Sequence, residues 1–295
     1  MKRCGWLVAV ITASTMIAAV QANAALKHRY SFTDSADDSV GGANGMVVDA
    51  GTAPNYVFSG GQLDLSANVG QGSNGITEDA YVDLPNGIVS GAVNSGVNGA
   101  ISFEFWATVA EQRTWQRFGD FGTSNGGEDT SPAGDASAYV LITPNSGRHA
   151  NGLEITNHPA SNAGEPNVGL AGPFPVGSEH HVVAVYDHND TSGGANGTMS
   201  LYYDGGLVGS SEIHADLDMR TMVDNNNWLG RSQWNDAVFD GSYNEFRIYD
   251  EAVSSEYVAR SFAAGPNVVV PEPATVTLLS VLACLAIPFR RRLAR

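Results

Sequence analysis

Three tryptophans stand where they can hold a sugar. Trp228 follows Asn225-Asn226-Asn227, Trp234 precedes Asn235-Asp236, and Trp115 stands apart from both. An indole presents a flat apolar face to the C–H bonds of a sugar ring, while amides and carboxylates take its hydroxyls. The other role open to each tryptophan is packing in a core. A second chemistry is cation binding. Aspartates cluster at Asp34–Asp38, Asp187–Asp190 and Asp216–Asp218, and calcium takes carboxylate, amide and backbone oxygens. None of these loops is an EF-hand. Counted from Asp187, the sixth residue is Ser192 and the twelfth is Thr198, where glycine and glutamate are needed.

Other chemistries fail on context. Gly122-Thr123-Ser124-Asn125-Gly126 has the spacing of a nucleophile elbow, but Gly127-Glu128-Asp129-Thr130-Ser131-Pro132 follows where a helix must start. Gly70-Gln71-Gly72-Ser73-Asn74-Gly75 has dinucleotide-loop spacing without a βαβ unit around it. His180 and His181 are adjacent on an expected strand, so they face opposite ways and cannot share a zinc ion. His188 reads as a solvated loop residue. The two cysteines, Cys4 and Cys284, lie in the end segments. The region between them has no thiol chemistry and must be held by its core.

The elements that position these residues are strands. Leu26, His28, Tyr30 and Phe32 are expected on one strand face. Ile101, Phe103 and Phe105 alternate with Ser102, Glu104 and Trp106. Met199, Leu201 and Tyr203 alternate with Ser200 and Tyr202 and lead into an Asp204-Gly205-Gly206 turn. Phe246 and Ile248 are expected to point inward, with Arg247 and Tyr249 outward. Val182 to Tyr186 is continuously apolar, as in a strand buried on both faces. One short helix is expected, Ser254 to Phe262, capped by Ser254 or Ser255 and covering one end of the core with Tyr257, Val258 and Phe262. Many short strands with 34 glycines in the chain predict an all-β, two-sheet antiparallel jelly-roll sandwich.

Several segments resemble the LamG-like domains of the concanavalin A-like lectin/glucanase superfamily. They are His28-Arg29-Tyr30-Ser31-Phe32 with the turn Asp38 to Gly45, Ile101 to Trp106, Leu201-Tyr202-Tyr203-Asp204-Gly205, and Asn244 to Ser254. Together they span nearly all of Leu26 to Phe262. The superfamily holds lectins, adhesion modules and glycosidases, so the resemblance implies a fold more than an activity. Its glucanases carry E-x-D-x-x-E or E-x-D-x-E on one strand face. Here Glu154-Ile155-Thr156-Asn157-His158 has threonine in place of the aspartate and no second glutamate, and Glu212-Ile213-His214-Ala215-Asp216 also departs. That chemistry is therefore not expected. The resemblance further implies a structural calcium joining the N-terminal region to the start of the last strand. The matching positions are Asp38 and Asn244.

Both ends read as targeting segments. Lys2 and Arg3, the apolar run Leu7 to Val20, and Ala22-Asn23-Ala24 form a secretory signal with cleavage expected between Ala24 and Ala25. At the other end, Pro271-Glu272-Pro273, the sixteen-residue apolar run 274–289, and the Arg290-Arg291-Arg292 cluster resemble the PEP-CTERM sorting tail of exported Gram-negative proteins. That resemblance implies processing by an exosortase after transient insertion in the inner membrane. Residues 266–270 read as a linker between a domain at 25–265 and this tail. Six of the 15 basic residues (Lys2, Arg3, Arg290, Arg291, Arg292, Arg295) lie in these segments. Over Ala25 to Pro273 nine then stand against 31 acidic ones, a net charge of −22, which excludes nucleic acid as a partner of the folded part. The expected function is an exported, surface-sorted, non-catalytic binding or adhesion module for glycans or exopolysaccharide matrix. The alternatives are a secreted polysaccharide hydrolase or lyase and a structural matrix protein.

Overall fold

The computed structural model describes residues 26–130, 138–161 and 163–270. Both targeting segments lie outside them, including Ala24, Ala25, Pro271, Glu272, Pro273 and Arg290–Arg292. Among the described residues no helix is long and apolar enough to cross a membrane.

The described chain runs β1 (Leu26–Tyr30), β2 (Met46–Asp49), β3 (Val57–Ser59), β4 (Gln62–Asp64), β5 (Ala80–Leu84), α1 (Ile88–Val93), β6 (Ala100–Val109), β7 (Gly119–Gly122), β8 (Tyr139–Ser146), β9 (Gly152–His158), β10 (Asn167–Gly169), β11 (Glu179–Asp187), β12 (Thr198–Tyr203), β13 (Gly206–Glu212), β14 (Asn226–Leu229), β15 (Gly241–Tyr249) and α2 (Ser255–Ala264). Two antiparallel sheets result. Sheet A has the order β13-β12-β11-β6-β15-β4-β3, with β1 also paired to β15. Sheet B has the order β10-β9-β8-β7-β14-β5-β2. The expected jelly-roll sandwich is the observed fold class.

Alternation builds the core. Ile101, Phe103 and Phe105 of β6 face Phe121 of β7, and the Phe103 and Phe121 rings stack at 4.5 Å across the two sheets. Phe246 joins the same stack. Each fully buried phenylalanine contributes about 1.5–3 kcal/mol. Val182, Ala184 and Tyr186 enter this core while Val183 and Val185 enter a second cluster, so β11 is buried on both faces as its composition predicted. The turn after β12 places Asp204 at φ 46° and Gly205 at φ 81°, the left-handed pair a two-residue hairpin requires.

Four expectations need correction. Leu26 does not share a face with His28 and Tyr30. A bulge between Leu26 and His28 shifts the register, and Leu26 packs on the opposite side of sheet A. Arg247 and Tyr249 do point away from the core, but both are buried, because α2 lies across the outer face of sheet A rather than over one end of the core. Ser254 caps α2 by accepting from the Tyr257 amide; Tyr257 and Val258 are buried, and Phe262 is 40% exposed. The helix α1 was not anticipated. It is six residues long, starts after Gly87 and has no cap of its own. Asp224, distant in sequence, accepts from the Val89 and Ser90 amides and the Ser90 hydroxyl instead.

A polar network sits beneath α2. Glu104 accepts from Tyr249, Arg247 and Ser261 and pairs with His181 at 2.7 Å. Trp106 stacks on His181 and Phe262. Arg247 continues the network to Glu245, which also pairs with Arg29, and donates to the Pro266 carbonyl. Val270 packs on the cluster under α2. The segment 266–270, expected as a linker, therefore lies against the domain.

Candidate functional site

Among the described residues no helix covers the outer face of sheet B. Its strands alternate Val140 and Ile142 into the core with Tyr139 and Leu141 outward. On β9, Glu154, Thr156 and His158 also face outward, all buried beneath loops. These loops leave a cavity of about 220 Å³ lined by Trp115, Arg117, Tyr139, Leu141, Arg148, Glu165, Trp234 and Asp236. That is smaller than the roughly 300–1,000 Å³ of sites for drug-sized ligands and suits one sugar ring.

Each wall comes from a different connection. Trp115 and Arg117 lie between β6 and β7, Arg148 between β8 and β9, Glu165 before β10, and Trp234 and Asp236 between β14 and β15. Trp115 adopts φ 65°, a left-handed conformation costing a bulky residue about 1–3 kcal/mol. Its amide donates to the Asn145 carbonyl at 2.7 Å, its carbonyl accepts from Arg117, and the guanidinium of Arg148 lies 5.0 Å from its ring centroid. The strained backbone is thus held from both sides, and cation–π attraction fixes the indole.

A relay of hydrogen bonds crosses the floor. Trp234 Nε1 donates to the Tyr139 hydroxyl (2.6 Å), which donates to Glu165 Oε1 (2.5 Å); Arg148 Nη1 donates to Glu165 Oε2 (2.5 Å). Tyr139 stacks on His158 at 4.8 Å. Arg148 also forks onto Glu154. Arg117, buried behind the pocket, donates to Asp236 (2.7 Å) and Asp120 (3.1 Å).

The electrostatics follow from these partners. Burial pushes Glu165 up, but the Tyr139 hydrogen bond and the Arg148 charge outweigh it and leave its carboxyl below the usual value. Burial and the neighbouring Glu165 push the Tyr139 hydroxyl well above the usual phenol range. Asp120 goes the other way: burial raises it to about 7, only partly offset by Arg117 and the Gln233 amide.

Trp115 and Trp234 therefore meet in one pocket, and Trp228 does not join them. Trp228 is fully buried on β14, with Arg231 4.1 Å from its ring centroid and Tyr81 at its edge. Asp38 and Asn244 have separate partners. The Asp38 oxygens accept from the amides of Arg29, Val40, Gly41 and Ala43 and pair with His28 at 2.7 Å. A cation there would have to displace these donors. Asn244 donates to Glu179 at 2.7 Å. Among the described residues no group of three or more His, Cys, Asp or Glu is placed to hold a metal ion. His180 pairs with Asp204 and His181 with Glu104, apart from one another. His188 is not a solvated residue: it ties the Asn196 carbonyl to the Met219 amide. Ser124 bonds to carbonyls of its own turn, Gly127 and Thr130.

Asp236, noted beside Trp234, does line the pocket; sequence reasoning missed Arg117, Tyr139, Arg148 and Glu165. One signal was available: in a region with nine basic residues, Arg117 stands two residues from Trp115.

Comparison with solved structures shows that the fold is a known one. Domain 4 of AbnA, a GH43 extracellular arabinanase from Geobacillus stearothermophilus solved in complex with arabinotriose, superposes with a TM-score of 0.56 at 18% identity, covering 81% of this chain and 98% of that one. The CBM40 of the Ruminococcus gnavus IT-sialidase, bound to α2,3-sialyllactose, gives 0.43 at 13% identity, over 61% and 94%. No curated protein sequence matches the chain. Residues 75–259 match the Laminin_G_3 family model, and the chain belongs to this family of the concanavalin A-like lectin/glucanases superfamily.

Proposed function

We propose that this protein is an exported, surface-sorted glycan-binding module without catalytic activity. The observation that carries the proposal is the pocket itself. Two partly exposed tryptophans, one with a strained backbone, flank two carboxylates and an arginine among the loops over the outer face of sheet B. Aromatic walls with a few fixed polar groups are what a sugar ring needs. A domain of the same fold solved with arabinotriose supports the reading. The carboxylates at the pocket wall, Glu165 and Asp236, are each held by an arginine, an arrangement for gripping hydroxyls rather than donating a proton.

Display at the surface agrees with the path of the chain. Leu26 and Val270 both pack against the α2-side cluster of sheet A, so a tether at either end leaves the opposite, sheet B face open. The secretory signal and the PEP-CTERM-like tail supply the export part of the proposal, with an exosortase as processing partner. Isothermal titration with neutral oligosaccharides, arabinotriose first, tests the binding. Wild-type binding that Trp234→Ala weakens about tenfold is expected; release of reducing sugar from any of them would replace the module with a hydrolase. Intact mass of the protein from cells with and without the exosortase tests the sorting, with removal of the tail expected only when the enzyme is present.

A further inference from the structure

The pocket's hydrogen-bond valence specifies the kind of sugar it accepts. An anionic sugar, such as a uronic or sialic acid, is normally clamped by an arginine whose fork is free for two parallel bonds to the carboxylate. Both arginines here are largely committed to the protein's own acceptors. Arg117 spends Nε on Asp120, Nη1 on the Trp115 carbonyl and Nη2 on Asp236. Arg148 spends Nε and Nη2 on Glu154 and Nη1 on Glu165. Each guanidinium thus commits three of its five N–H donors inside the protein, and the two that remain sit on nitrogens already bonded to a carboxylate or a carbonyl.

The charge count points the same way. Four acidic side chains (Asp120, Glu154, Glu165, Asp236) surround two guanidinium groups; Asp120, raised to about 7, is partly protonated at neutral pH, and the other three still outnumber the two cations. Asp120 and Glu154 are buried behind the wall, and the carboxylates reaching the cavity, Glu165 and Asp236, have side chains 26% and 25% exposed. Those two present acceptor oxygens with lone pairs left, suited to hydroxyl or ammonium donors. Burial on one side of the cavity strengthens repulsion of a third carboxylate.

Resting on the glycan-binding reading above, we infer that the pocket selects sugars without an anionic group, neutral or amino, and rejects uronic and sialic acids. The test is titration calorimetry of the full exported domain with arabinotriose, a chitosan trimer and trigalacturonate, at low and at physiological salt. At least tenfold weaker binding of trigalacturonate than of the better of the other two is expected at low salt, with the gap narrowing as salt rises. The double variant Glu165→Gln/Asp236→Asn, checked for folding by circular dichroism, is expected to shrink the gap further; if it does not fold, the wild-type comparison still decides. Trigalacturonate binding as tightly as the uncharged trimers overturns this inference and leaves the glycan reading standing. No binding by any of the trimers overturns both.

Discussion

Replacing Glu104 by glutamine strikes the network that fastens α2 to sheet A. Burial alone would push this carboxyl up. The hydrogen bond and charge of His181, the guanidinium of Arg247 and the Ser261 hydroxyl outweigh it and bring it from 4.5 to about 2. The unfolded chain therefore binds the proton near pH 4.5 and the folded one near pH 2. Between those values the unfolded state holds more protons, so the stabilisation is complete above about pH 5 and is lost as pH falls toward 2. At roughly 1.4 kcal/mol per unit, the depression corresponds to about 3 kcal/mol, or about 6–12 °C in Tm for a domain of this size. Glu104→Gln keeps the shape and removes the charge, leaving Arg247 with Glu245 alone. Urea unfolding at pH 7 should show a loss of about 3 kcal/mol, and a pH series should show a flatter stability curve between pH 5 and pH 2. A variant with the wild-type urea midpoint and the same acid limb would refute the assignment of the network as a fastening for α2.

Three further outcomes are expected. Trp234→Ala should weaken glycan binding about tenfold with little change in Tm, while Trp228→Ala should cost about 3–5 kcal/mol in urea unfolding, because it empties a buried site. Asp120 has the sign opposite to Glu104: its folded pKa of about 7 lies above the ordinary carboxyl value of 3.8. The folded state holds the extra proton between those values, so stability rises as pH falls from above 7 toward 4, and Asp120→Asn should flatten the curve in that window. Calcium at Asp38 would have to replace its amide donors and His28, so Tm in millimolar calcium and in EDTA should coincide; a calcium-dependent rise would restore the cation site.

Local pattern was enough for the strands. Alternation at Ile101–Phe105, Met199–Tyr203 and Phe246–Ile248 reports burial on one sheet face directly, because side chains on a strand have period two. The unbroken run Val182–Tyr186 likewise reported a strand covered on both sides. It could not say what covers the second face: α2 is ten residues long, and only its docking on sheet A turns Arg247 and Tyr249 from surface residues into buried ones. The helix α1 stayed invisible because its cap, Asp224, comes from far along the chain, and the Leu26 face was lost because a bulge resets the period.

Residue type alone determined that this chain carries an acidic β-sandwich free of cysteine between its end segments, whose tryptophans are candidates for a sugar platform, since composition and strand periodicity are local properties. Tertiary structure decided which tryptophans qualify. Trp228 turns toward Arg231 and Tyr81 beneath the loops, while Trp115 and Trp234, more than a hundred positions apart, converge with Arg148 and Glu165 because loops from four different connections close over one face of sheet B. A site assembled from loops has no period to read; its members are neighbours only once the strands are paired.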